Sequence, residues 1–99
     1  MISRHWRGLA KAECADEYVA HLRAETFAQL STIPGFVEAR ILRRASGGGV
    51  EFLILTLWES LAAIQQFAGE DAERAVVPEP VQAMMLDYDR TVRHYEVLD

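Results

Sequence analysis

Two kinds of spacing alternate along this chain. From about Glu13 to Leu30 the apolar positions Tyr18, Val19, Leu22, Phe27 and Leu30 recur at helical intervals, with Glu17, Arg23 and Glu25 among the residues between them, which predicts an amphipathic helix. Its acidic start, Glu13, Asp16 and Glu17, suits the positive end of the helix dipole. "IPGF" stops it, because Pro34 cannot continue a helix and Gly35 supplies a turn. The segment before it, "ISRHWRGL" (2–9), is a strand candidate with imperfect alternation. After it come "FVEARILRR" (36–44) and "VEFLILTLWE" (50–59), joined by "ASGGG", whose glycines permit the positive φ angles of a hairpin. Ser60 stands where it can cap the next helix. That helix carries Leu61, Ile64 and Phe67 and reaches Gly69. Within "FAGEDAERAVVP" (67–78) an acidic turn then opens a second short helical pattern, which Pro78 ends. "PEPVQAMM" reads as irregular, and "YDRTVRHYEVL" (88–98) as a polar strand suited to an edge.

The order is β-α-β, β-α-β, which closes most simply as an α+β ferredoxin-like βαββαβ fold, a four-stranded antiparallel sheet with two helices on one face. The strand at 50–59 is apolar on nearly every residue, so both of its faces are expected to be covered. Two helices hide only one face of a four-stranded sheet, and a second copy packed sheet on sheet is the simplest cover for the other. A homodimer is therefore expected. The break after Gly69 has a geometric reading: it swings Ala75, Val76 and Val77 over the sheet as an apolar cover. Glu70, Asp71 and Glu73 already occupy the turn that would otherwise bind an anion.

Composition narrows the function classes. The 99 residues make one domain, 1–99, and 51% hydrophobic with 25% charged residues is the balance of an ordered protein. The formal charge is −5 and the nine arginines and one lysine are scattered, so no nucleic-acid footprint is expected. Cys14 is the only cysteine, which excludes an internal disulfide and the common thiolate zinc sites and is compatible with a reducing compartment. No signal peptide opens the chain and "FLILTLW" is too short to cross a bilayer, so a cytoplasmic protein without a membrane partner is expected.

"WRG" at 6–8, "LWES" at 57–60, "FAGEDAERAVVP" at 67–78 and "HYEV" at 94–97 together resemble the antibiotic biosynthesis monooxygenase family of the dimeric α/β-barrel superfamily, over essentially the whole chain. The resemblance implies a ferredoxin-like monomer whose dimer forms a barrel from two sheets, with a pocket in each subunit between helices and sheet. Members of that family include oxygenases of polycyclic aromatic substrates that use neither metal nor flavin, haem-degrading enzymes, and proteins without a known activity. The haem degraders carry a second Trp nine residues beyond the Trp of "WES", where this chain has Phe67; their ligating His falls near Val77, and their strand-one Asn has no counterpart in "ISRHWRGL". The resemblance thus implies a reaction without a cofactor, in which a bound phenol is deprotonated and its anion passes an electron to dioxygen.

Such chemistry needs a base or an anion stabiliser and an aromatic slot. His94 is the candidate base, since its ordinary pKa suits proton transfer near neutrality; Tyr95 points to the opposite face of its strand. Trp6 and Trp58, on neighbouring strands, are candidates to stack on a flat small aromatic ligand, with Phe67 and Val77 beside them. Arg4 and Arg40 are candidates to hold a phenolate or carboxylate, with ion pairing to Glu38 or Glu51 as their alternative role. His5, His21 and His94 have no metal-site spacing. The rival to catalysis is a non-catalytic dimeric domain that binds an apolar small molecule or stabilises an assembly.

Overall fold

The structure is a computed structural model describing all of residues 1–99. A ten-residue strand, β1 (Ile2–Lys11), leads into a helical segment, α1 (12–30), then β2 (Phe36–Ser46), β3 (Gly49–Trp58), α2 (Leu61–Ala68), α3 (Glu79–Met84), β4 (Met85–Tyr88) and β5 (Arg93–Glu96). The sheet runs β2-β3-β1-β4, with β5 also on β1, and every pairing is antiparallel. This is the ferredoxin-like order expected. α1 is one rod of changing pitch: a 3-10 turn at Ala12–Cys14, α-helix over Ala15–His21, a π-helical turn at Leu22–Thr26 and a last α turn at Phe27–Leu30. No helix is long and apolar enough to cross a membrane.

Local chemistry explains the joints. β2 and β3 are linked through Gly47 and Gly48, whose φ angles of 44° and 83° give the paired positive values that a two-residue hairpin turn requires. Ser60 caps α2 by accepting a hydrogen bond from the Ala63 amide at 3.2 Å.

Two expectations need correction. The last strand is in two pieces, so the sheet has five strands instead of four. Between them, at 89–92, the chain turns its hydrogen bonds to another partner: Ala75 donates to the Arg90 carbonyl (2.9 Å) and Val92 donates to the Glu73 carbonyl (2.7 Å). The region after Gly69 is also not a second helix. Residues 69–78 form an irregular strap, bridged to the sheet edge at Arg74 and Thr91, and the helix resumes only at Glu79, within the segment expected to be irregular. Pro78 and Pro80 start α3, since the first turn of a helix has no use for their missing N–H groups. Reading proline only as a terminator put the helix on the wrong side of Pro78.

The sheet has two unlike faces. Arg4, Trp6, Gly8 and Ala10 of β1 alternate onto the helix-covered face with Phe52, Ile54, Thr56 and Trp58 of β3. Leu53, Leu55 and Leu57 fall on the other face, beside Leu42 and Arg40 of β2, with no layer of this chain over them. Hence only 18 of 99 residues are buried although half the chain is apolar. Under the helices the core divides in two: Phe52, Tyr18, Leu22 and Met84 anchor one cluster, and Trp58, Leu30 and Ile64 the other. Phe27 packs against both.

Gly8 decides how one wall is built. A Cβ placed there would lie 2.4 Å from Cη2 and 2.9 Å from Cζ3 of the Trp6 ring, so the indole lies flat along β1 only because residue 8 has no side chain. Gly8→Ala is expected to displace the indole and to cost about 1–3 kcal/mol, the usual range for overpacking. Urea unfolding should show a lower midpoint at unchanged slope, with altered indole fluorescence in a Trp58→Phe background; an unchanged midpoint and spectrum would contradict this packing.

Candidate functional site

The seam between the two core clusters is not filled. α2 stops at Ala68, α3 begins at Glu79, and the strap crosses the gap, leaving a cavity of about 70 Å³ under it. Its floor is Trp6, Ile54 and Thr56 of the sheet, its sides come from α1 (Tyr18, Leu22, Phe27) and Phe67 of α2, and Val76, Val77 and Pro78 of the strap form its roof. The π-helical turn of α1 sets Leu22 and Thr26 against this space, an irregularity often met at functional sites.

Arg4 is the one charged side chain in the lining. It is 5% exposed and has no carboxylate within ion-pairing distance. Its guanidinium is held by the strap and the sheet edge: Nη1 donates to the Ala72 carbonyl, Nη2 donates to the Arg74 carbonyl at 2.8 Å, and Nη1 lies 3.1 Å from His94 Nε2. The ring of Phe67 sits 5.8 Å from its Cζ, within cation–π range. Burial lowers the Arg4 pKa to about 10, still charged at neutral pH. Hydroxyls of Tyr18, Thr26 and Thr56 complete the polar lining, and burial pushes the Tyr18 phenol up, so it stays a donor.

Of the residues expected at the site, the structure gathers Trp6, Phe67 and Val77 around the cavity. Trp58 is not in the lining. It is fully buried, donates through Nε1 to Thr56 Oγ1 at 2.8 Å, and stacks behind Phe67 with ring centroids 6.3 Å apart, so it braces the wall from outside. Arg40 is on the wrong face: its Cα pairs with Leu55, and Nη2 reaches Glu38 Oε1 at 3.4 Å in solvent. His94 pairs in register with Arg4 but does not border the cavity; it touches the site through the guanidinium. Because an arginine can only donate, His94 Nε2 is the acceptor and its ring is neutral.

Sequence reasoning ranked Arg4 below His94, although a signal for it existed: residues 4 and 6 share a strand face, so an Arg two before a pocket Trp must flank it. Tyr18 had no such signal, whereas Val76 was expected in the apolar cover over the sheet and lies in the roof of the cavity. On the outer face Ser3 Oγ lies 2.8 Å from His5 Nε2, and the His5 ring packs at a tilt against Tyr95, away from the cavity. No group of three His, Cys, Asp or Glu side chains is placed to hold a metal ion.

His94 makes stability depend on pH. Its pKa is lowered from 6.5, first by partial burial and then by the Arg4 charge and that of His5, with Glu73 opposing. A depressed folded-state pKa means that the unfolded chain takes the proton more readily, so this contribution is intact above the unfolded value and is lost as pH falls through the folded one. His94→Gln can still accept from Arg4 but cannot titrate. Its melting temperature should fall less than that of the wild type between about pH 7 and pH 5; parallel curves would remove His94 as the cause.

Similarity to known proteins matches this architecture. The crystal structure of a candidate antibiotic biosynthesis monooxygenase from Bacillus cereus superposes with a TM-score of 0.68 at 17% identity, covering 100% of this chain and 94% of that one. The heme-degrader MhuD from Mycobacterium tuberculosis, solved with two hemes in its active site, superposes at 0.67 with 21% identity, covering 100% and 98%. At those identities the likeness is one of fold. The residues here do not fit the haem of that protein, because the cavity lining offers no histidine to ligate its iron. No curated protein sequence is similar enough to this chain to count as a relative. The model of the antibiotic biosynthesis monooxygenase family matches residues 1–79, most of the chain and all of the cavity lining except Val81 and Val92, and the protein belongs to that family.

Proposed function

We propose that this protein is a monooxygenase-type enzyme that binds a small aromatic phenol beneath the strap and oxidises it with dioxygen without a cofactor. The observation that carries the reading is Arg4: a buried cation with no carboxylate partner, in the lining of a mostly apolar, aromatic slot. A phenol brought against that guanidinium ionises more easily, because the opposite charge favours the phenolate in a poorly hydrated setting. The electron-rich anion then supplies all four electrons that dioxygen takes: one oxygen atom replaces a ring hydrogen and becomes the second carbonyl of a quinone, and the other leaves as water with that hydrogen and the hydroxyl proton, so phenol and dioxygen give quinone and water. Trp6 and Phe67 hold the ring plane, and the Tyr18 hydroxyl donates to the developing oxygen anion. His94 is a positioning residue in this scheme, holding the guanidinium from behind. A cytoplasmic setting, with Cys14 reduced, suits such chemistry.

A second reading has its own support: no general base borders the cavity, which fits a domain that binds an apolar anion without transforming it. The two separate by experiment. Oxygen uptake with a panel of polycyclic phenols should be present in the wild type, and Arg4→Gln should lower kcat/KM by about 10- to 100-fold, the usual worth of a hydrogen bond to a charged group. Arg4→Lys should recover part of the loss. Binding of the same phenols without oxygen uptake would favour the second reading.

The bare outer sheet face supports a homodimer. Leu42 and Leu53 are 44% and 36% exposed there, in line with Leu55 and Leu57. Sedimentation velocity should show a dimer, and Leu55→Arg, placing a charge at the centre of that face, should give a folded monomer. A wild type that stays monomeric at high concentration would remove the dimer from this account.

A further inference from the structure

The strap has a second hollow on its other side. A groove of about 490 Å³ runs along the outer surface between the strap, α3 and the β4–β5 connection. Val76, Val77 and Pro78 border both spaces, so three consecutive residues are all that divides the groove from the cavity. That partition is weakly held. The Val76 and Val77 amides donate to no other group of the chain, Pro78 has no N–H to donate, and across the three residues the hold on α3 is a Gln82 side-chain bond to the Val77 carbonyl (2.8 Å) and the Val81 and Gln82 amides on the Pro78 carbonyl. Segments with so few internal bonds open at little cost.

Charge follows the same line. Neither lining contains an Asp or Glu, although the chain has 15 of them and a net charge of −5. What the linings contain is Arg4 inside and Arg74 and Arg90 outside. Neither outer arginine has a carboxylate within ion-pairing distance, and Arg90 lies over the ring of Tyr88 at 5.2 Å. The inner cavity alone is far below the roughly 300–1,000 Å³ of ordinary small-molecule sites, and the groove supplies the missing room.

We infer that cavity and groove are two ends of one binding slot, joined when Val76 and Val77 swing aside, and that its ligand is an aromatic phenol bearing a carboxylate at the end remote from the hydroxyl. The hydroxyl end meets Arg4 and the carboxylate meets Arg74 and Arg90, with the ring system between Trp6, Phe67 and Tyr88. This rests on the phenol-binding reading above for its inner end and adds the anionic substituent and the moving wall.

The test uses two soluble fluorescent probes that differ by one group, 2-naphthol and 6-hydroxy-2-naphthoic acid, titrated by calorimetry into the full chain. The wild type should prefer the acid by about tenfold or more, since one charge-assisted hydrogen bond is worth that much. In Arg74→Gln/Arg90→Gln the ratio of the two affinities should collapse toward one. Equal affinities in the wild type, a preference surviving in the double variant, or no binding of either probe would each overturn the slot. A third protein, Val77→Trp, checked for folding by its melting curve, fills the partition; it should lose both probes, and an unchanged affinity for the acid would mean that the carboxylate binds in the groove alone, which also overturns the single slot. Oxygen uptake is scored separately: a preference that vanishes in the double variant, without any turnover, sustains the slot and refutes the oxygenase.

Discussion

The fold turns on one buried guanidinium. Putting a charge under an apolar roof is costly unless strong acceptors meet it, and here the acceptors are two strap carbonyls, Ala72 and Arg74, and the Nε2 of His94. The strap is neither helix nor strand, and apart from its backbone bonds to residues 90–92 this anchor is what ties it to the sheet. Arg4 fixes the first half of the strap, the 89–92 segment fixes the middle, and α3 begins where Pro78 allows it. The cavity exists because this arrangement spans the gap between two core clusters without filling it.

The same anchor shapes the chemistry. Backbone carbonyls stabilise the cation by dipole rather than by full charge, so the positive field is not cancelled and extends into the space beside Trp6. A carboxylate in that position would have given a neutral ion pair and an inert wall. The acidic residues of the strap, Glu70, Asp71 and Glu73, are exposed and lie outside both linings. In an acidic protein, the only charged residues lining the two hollows on either side of the strap are therefore cationic, a distribution that matters more for ligand choice there than the net charge.

Most of the fold was legible in the sequence. The helical spacing through Tyr18, Leu22 and Leu30, the glycine hairpin and the Ser60 cap are local devices whose physics acts within a few residues, and each is found where its residues predict. Apart from the reading of Pro78, the errors were non-local. The last strand splits because residues 90–92 bond to the strap, a partner some 17 residues upstream, and Trp58 leaves the cavity because Phe67 slides in front of it. Arg40 went astray through a register shift between Phe36 and Glu38, which settles the face on which each later residue of β2 falls.

By itself the sequence determined the element types and their order as far as Ala68, and the ferredoxin-like closure, along with one sheet face too apolar for water, because hydrophobic period, turn residues and caps act at short range. Only the tertiary structure decided which charged group is buried. His94 and Arg4 sit 90 residues apart and the strand pairing makes them neighbours. Which of the two faces the cavity depends on where the strap offers its carbonyls, and no pattern along the chain carries that distance.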